Sequence, residues 1–396
     1  MSRNWARALS AALAVGVALL AAPAAHAGAG YFTSQDLTGS AGVPVGQMEP
    51  AGWYTPWDLK RHFAYVSDDQ RIIVASSAPG GSWTWTTALD SAYVLGYLTT
   101  YSYSWDHSSH IVYADGVTHH LIELWSSDAS PTWQKVDLTE TYHGPLIELD
   151  PRGYEQDGQQ HVVFKDGHGN GVIWEATFAP GAGWGFTNLT ERAGIHPKND
   201  YGWYLAASSL GTDGEAIGYI GTDGYPHVLA GQHGRWTDQR VGVPADEKFF
   251  TMNSMVFLRD GRLVRYALRY YTSDTHLHEV AWEGGRWTDT DVAAATPTVD
   301  PRWAPNAAND SYLWNADGSE HMFTTGADGA VREYVRTRAG DWYVWRDSEP
   351  IPDGLGWIGA FAAPDDTMHG TETEFYVYYN TDKHVVVADL TAAYQA

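Results

Sequence analysis

The chain contains no cysteine. A disulfide framework, a thiolate metal site and a cysteine nucleophile are all excluded, so stability must rest on a packed core. Basic residues are also scarce. Lys and Arg number 24 against 48 Asp and Glu, a net charge of −24. Such a chain is a poor binder of nucleic acid and of anionic membranes, because phosphate contacts need clustered Lys and Arg. Beyond residue 27 no apolar run is long enough to span a bilayer. No amphipathic helical period of useful length is present there. The G-x-S-x-G, H-E-x-x-H and glycine-rich phosphate-loop patterns are missing as well. The sequence calls for no cofactor and no metal.

What is present begins with a leader. Arg3 and Arg7 precede the apolar run Ala8 to Ala22, and Ala25-His26-Ala27 forms an A-x-A cleavage pattern. This reads as a secretory signal peptide over 1–27. The expectation is an extracellular protein beginning at Gly28 and forming one domain over 28–396. Aromatic residues are plentiful, with 19 Trp and 24 Tyr. They suit half-buried β-structure and, more specifically, stacking on sugars.

An internal repeat organises the remainder. An aromatic residue opens a short strand at FTSQDLT (Phe32), WTWTTAL (Trp83), WQKVDLT (Trp133), WGFTNLT (Trp184), WTDQRV (Trp236), WTDTDV (Trp287) and WYVWRD (Trp342). The successive spacings are 51, 50, 51, 52, 51 and 55 residues. Upstream of these anchors lie β-branched and aromatic runs that end in hairpin chemistry, such as HIVYADG (110–116) and HVVFKDG (161–167). A second run follows, as in HHLIELW (119–125) and NGVIWEA (170–176). Four short strands per repeat are the pattern of a propeller blade.

The last anchor, Trp342, is followed by three more strand candidates, at 356–362, 374–380 and 383–390, and then by no aromatic-DLT strand. The missing outer strand is YFTSQDLT at the other end. The sequence therefore predicts an all-β, seven-bladed β-propeller of four-stranded antiparallel blades, its ring closed by the N-terminal strand.

HIVYADG…LIELW resembles the repeat of fucose-binding β-propeller lectins and related bacterial propeller lectins, roughly Arg-Val-Tyr-Tyr-x-Asp-x-Asp-Gly-x-Ile-x-Glu before a Trp strand. The resemblance spans most of residues 28–396 as a repeat and is clear in three or four units. It implies sugars held between adjacent blades by an Arg, a Glu and a stacking aromatic ring. The Glu matches Glu123, Glu175, Glu279 and Glu333, and the neighbouring aromatics are Trp125, Trp174, Trp282 and Tyr334. The Arg position carries His110, His161 and His321, with His62 in the first unit. An imidazole offers one donor and one acceptor in place of a charged fork, which departs from the fucose pattern. SSDASPTW (126–133) also resembles an Asp-box, a turn motif of propeller blades, with Ser130 where Gly is usual.

Carbohydrate binding, with an extracellular glycan as partner, is the leading functional expectation. The alternative is a propeller polysaccharide lyase or glycoside hydrolase acting at one mouth of the central channel. Its candidate acids and bases are His107, His110, His119, Tyr142 and His143, with Asp106, His120, His196 and Arg302 nearby in the chain or in connections between blades. Aromatics at the starts of innermost strands, Trp53, Tyr201, Trp203, Phe250, Trp303 and Trp357, are candidates to line that mouth. A protein-binding scaffold is the third class, since a propeller fold does not by itself fix function.

Overall fold

Short runs of β-branched and aromatic residues, cut by tight polar turns, dictate a protein of strands. At the turn after HIVYAD, the Asp115 carboxylate accepts from the backbone N–H of Val117 and Thr118 at 3.0 and 2.9 Å, so the side chain itself folds the hairpin. The computed structural model describes residues 32–48, 50–78, 81–199, 205–245, 252–259, 262–272, 276–296, 310–314, 319–325, 331–347, 359–363, 371–379 and 382–393. The expected leader lies outside these residues, as do Tyr201, Trp203, Phe250, Arg302, Trp303 and Trp357.

The described residues form seven four-stranded sheets, each antiparallel throughout. From innermost to outermost strand, the first holds Ala51–Thr55, Lys60–Val66, Ile72–Ser77 and Thr84–Leu89. The second holds Val94–Tyr103, Ser108–Asp115, Leu121–Ser127 and Ser130–Asp137. The third holds Arg152–Gln156, Gln159–Lys165, Ile173–Ala179 and Gly183–Asn188. The fourth holds Leu205–Ser209, Glu215–Ile220, Pro226–Gln232 and Arg235–Arg240. The fifth holds Asn253–Arg259, Arg262–Tyr271, Leu277–Glu283 and Arg286–Asp291. The sixth holds Asp310–Trp314, Ser319–Thr325, Val331–Arg336 and Trp342–Asp347. The seventh takes Gly359–Ala363, Thr371–Tyr379 and Val385–Ala393 from the C-terminal end and Phe32–Asp36 from the N-terminal end. In that sheet Phe32 faces Leu390 and Asp36 faces Val386. Innermost strands neighbour one another in chain order, and that of the seventh sheet neighbours that of the first.

The core is shared among the grooves between sheets. Each anchor tryptophan packs with residues of the preceding sheet: Trp83, Trp184 and Trp342 are buried there, and Trp133, Trp236 and Trp287 are half-buried. An indole that buries about 200 Å² contributes on the order of 5 kcal/mol before conformational entropy is subtracted. The repeated tryptophan is a wedge that spaces the sheets.

Among the described residues, short helices follow four outer strands, at Leu37–Ala41, Leu138–Tyr142, Leu189–Ala193 and Val292–Ala295. They explain the repeated D-L-T. Asp36, Asp137, Asn188 and Asp291 cap them by accepting from a backbone N–H three residues on, at 2.8, 2.8, 3.0 and 2.8 Å. The next residue, Leu37, Leu138, Leu189 or Val292, is buried. The hydroxyls of Thr38, Thr139 and Thr190 accept from the N–H that opens the third strand, at Val385, Leu121 and Ile173. The motif is a joint between strand and helix. One turn is too short to show a helical period in the sequence.

Candidate functional site

Residues two apart on a strand share a face, and a residue on the next strand can reach diagonally between them. Glu123 faces Val112 across the second sheet, two residues from His110. Glu175 faces Val163, two from His161, and Glu333 faces Phe323, two from His321. Each imidazole Nδ1 meets a carboxylate Oε1, at 2.8 Å for His110 and Glu123, 2.8 Å for His161 and Glu175, and 2.5 Å for His321 and Glu333. The structure thus brings together three of the expected pairs at equivalent positions. All six side chains are buried, with His110 and Glu123 each 3 % exposed.

Two partners of these pairs were not read from the sequence. The first is an aromatic residue of the innermost strand, cross-strand from the histidine and stacked on its ring. Tyr101 lies 4.9 Å from His110, Tyr154 lies 5.3 Å from His161, and Trp53 lies 4.9 Å from His62. The polar tip of each aromatic donates to the next sheet: Trp53 Nε1 to Ser109 Oγ at 3.0 Å, Tyr101 to Gln160 at 2.9 Å and Tyr154 to Glu215 at 2.6 Å. The signal was an aromatic residue seven to nine positions before each histidine. Trp53 is therefore packed between the first and second sheets, and does not line an open mouth.

The second partner is a hydroxyl. Ser108 Oγ lies 2.6 Å from His110 Nε2 and Ser319 Oγ lies 2.8 Å from His321 Nε2. Ser, His and Glu are then connected as in a hydrolase relay. Ser108 is fully buried, however, and its hydroxyl donates to Asp106. These chains serve to orient the imidazole.

The other sheets depart from the pattern. In the first, His62 has Val74 where Glu would stand, and bonds Thr55 Oγ1 at 2.9 Å and Ser76 Oγ at 2.7 Å. Burial pushes its pKa down to about 4. In the fourth and seventh sheets the Glu position is Val228 and Val387. In the fifth, Glu279 is in place, but Ala267 replaces the histidine. Arg265 and Arg269, two residues to either side on the same face, bind Glu279 at 2.5 and 2.9 Å. Both also reach Glu320 of the sixth sheet, Arg269 at 3.6 Å. All four charges are buried.

The pair of the third sheet is joined by Glu215 of the fourth sheet, whose Oε2 lies 3.4 Å from His161 Nδ1. Burial and the neighbouring Glu175 push the Glu215 pKa up to about 7. Burial opposes a charged His161, but Glu175 and Glu215 outweigh it and hold its pKa above the ordinary value.

Strand parity places the expected aromatics. Trp125 shares a face with Glu123 and faces His110 across the sheet. Trp174 points to the opposite face from Glu175 and joins the core between the second and third sheets, beside Tyr101 and Trp184. Trp282 and Tyr334 likewise alternate away from Glu279 and Glu333. The groove between the second and third sheets therefore collects His110, Glu123 and Trp125 from one side and Trp174 and Phe178 from the other.

The candidate acids and bases do not converge. His107 is an exposed turn residue before Ser108–Asp115, stacked 5.0 Å from Trp57 and 3.4 Å from Asp128. His119 lies in the turn at the other end of that strand, roughly 25 Å away at about 3.3 Å per residue. Tyr142 ends a short helix and His143 is its C-cap, beyond the outermost strand. His110 is buried between these ends. His196 lies in the connection to the fourth sheet, where its carbonyl accepts from Thr222 N–H. The Asp-box stretch forms the turn between the third and fourth strands, where Ser127 Oγ accepts from Ser130 N–H at 3.2 Å.

No protein-family model matches the chain, and no curated protein matches it. Solved structures do. AofleA from Arthrobotrys oligospora is 14% identical with a TM-score of 0.56, over 80% of this chain and 89% of that one. A variant of the Aleuria aurantia lectin in complex with α-methyl-L-fucoside is 13% identical with a TM-score of 0.54, over 78% and 98%. The fungal lectin described as a six-bladed β-propeller with a novel fucose recognition mode, also from Aleuria aurantia, is 12% identical with a TM-score of 0.53, over 77% and 96%. At these identities the likeness is one of fold: the chain folds as a β-propeller similar to those of fucose-specific lectins.

Proposed function

We propose that the protein is a secreted carbohydrate-binding β-propeller whose glycan sites lie in grooves between sheets. The observation that carries this reading is the recurrence of one constellation, a histidine and a glutamate on adjacent strands, at the same register position of three sheets. Recurrent sites at fixed angles suit a multivalent glycan, because weak sites add through avidity. The junction between the second and third sheets carries Trp174 and Phe178 from the third sheet and Trp125 on the same face as the buried His110 and Glu123 pair, which supports this reading. A neutral sugar is favoured over a polyanionic one by the net charge of −24. The sheets close as one seven-bladed ring and one domain in this reading, supported by the pairing of Phe32–Asp36 with Val385–Ala393 and by the return of the last innermost strand to the first. Glycan-array screening, followed by binding measurements on Glu123→Gln, tests the proposal. Binding of no glycan, or equal binding by the variant, overturns it.

A further inference from the structure

The junction between the third and fourth sheets and that between the fifth and sixth are equivalent places in the repeat. Glu175 faces Thr187 and Glu279 faces Thr290, each three residues after an anchor tryptophan. Across the junction, Glu215 pairs with Gly231, which faces Trp236, and Glu320 pairs with Arg336, which faces Trp342. Each junction therefore sets a carboxylate from the third strand of one sheet against a carboxylate from the second strand of the next.

The two differ in what balances them. Between the fifth and sixth sheets, the guanidinium groups of Arg265 and Arg269 bridge Glu279 and Glu320, two positive charges against two negative. Between the third and fourth, the residue in place of Arg269 is Val163, and that in place of Arg265, four residues earlier on the strand, is Gln159. A single imidazole stands between Glu175 and Glu215 there. Unbalanced carboxylates away from water are costly, and the sister junction shows that this architecture accommodates a double positive charge.

We propose that the junction between the third and fourth sheets binds one divalent transition-metal cation, held by His161 Nδ1 and one carboxylate oxygen each from Glu175 and Glu215. These donor atoms all lie within 4.8 Å of one another. The separations from His161 Nδ1, 2.8 Å to Glu175 and 3.4 Å to Glu215, fall within the roughly 2.8–3.6 Å between neighbouring ligands bound to one ion at about 2.0–2.2 Å, octahedral at the short end and tetrahedral at the long end. One nitrogen and two oxygens, with no thiolate, suit Zn²⁺ or Mn²⁺. The Tyr154 hydroxyl, donating to Glu215 at 2.6 Å, and its ring stacked on His161 fix the orientation of both ligands. Because the ligands come from two sheets, the ion cross-links them and its binding adds to stability. The inference goes beyond glycan binding and does not depend on it: the ion takes the pair of the third sheet, so in a metal-loaded chain the proposed glycan sites rest on the pairs of the second and sixth sheets.

The test uses the whole protein, stripped with chelator and dialysed. Zn²⁺ and Mn²⁺ are titrated by calorimetry without glycan, bound metal is counted by elemental analysis, and thermal unfolding is followed with and without ion. We expect one ion per chain and a raised melting temperature for at least one of the two metals. Glu215→Gln and His161→Gln, each shown to be folded by its metal-free melt, should bind at least tenfold more weakly. His120→Gln, which alters another His, Asp and Glu group in which the Glu is exposed, should bind as the parent does. The proposal is overturned by no saturable binding of either ion, by unchanged affinity in Glu215→Gln, or by loss of the ion in His120→Gln instead.

Discussion

Asp36 and His384 meet across the ends of the chain: Nδ1 of His384 lies 2.8 Å from Oδ2 of Asp36. The other oxygen of Asp36 accepts from Gly39 N–H and caps the helix that follows the N-terminal strand. One side chain thus serves the helix cap and the seventh sheet together. The same device joins His120 to Asp137 and His276 to Asp291 at 2.7 Å each.

Removing residues 28–40 should therefore destabilise the whole protein. The deletion strips the outer strand from Val385–Ala393 and leaves its backbone groups without a partner. Asp36→Ala is the milder version, with an expected loss of about 1–2 kcal/mol from the cap and the histidine bond. Urea unfolding of both variants measures this, and an unchanged midpoint for the deletion would show that the pairing does not contribute.

His62 should make stability depend on pH. Its folded pKa, about 4, lies below the ordinary 6.5, because burial disfavours the charged ring. Between these values the unfolded chain holds a proton that the folded chain does not. Stability from this group is full above about pH 6.5 and falls as pH drops toward 4, by on the order of 3 kcal/mol. His62→Gln should remove that part of the slope. Parallel slopes for parent and variant, from denaturant midpoints between pH 7.5 and 4.5, would refute the assignment.

Arg265→Met should be among the most damaging single changes. It leaves Glu279 and Glu320 buried beside one remaining arginine, and breaking a buried pair in this way costs about 3–5 kcal/mol. Adding Glu320→Gln to the same chain should recover part of the loss. Failure of the second change to restore any thermal stability would mean that the arginine acts mainly through packing.

Glycan binding should fall about ten- to a hundred-fold in Glu123→Gln, the cost of losing a charge-assisted hydrogen bond in the groove. Trp125→Ala, at the half-buried position cross-strand from His110, should weaken binding as well. His107→Ala, in an exposed turn, should leave binding unchanged. Surface plasmon resonance on an immobilised glycan gives all three values. A loss confined to His107→Ala would move the site to the turn and away from the groove.

The sequence by itself determined the strands, their grouping by fours and the partner of the N-terminal strand. Its 51-residue spacing, alternating runs and missing last strand are all local or additive features, visible without coordinates. It also gave the His and Glu of each hairpin, because 12 to 14 residues of chain between them close through a single turn. The tertiary structure decided what those residues face. Strand parity turned Trp174 away from Glu175, a consequence of a side-chain period of two that holds only once the register is set. Packing of one sheet on the next brought Glu215 to His161, Tyr154 to Glu215, and Arg265 and Arg269 to Glu320. Each of those contacts joins residues 51 to 61 positions apart on neighbouring sheets, and no local pattern encodes it. The one-turn helices after D-L-T stayed hidden for the opposite reason: five residues are fewer than a helical period needs to show itself.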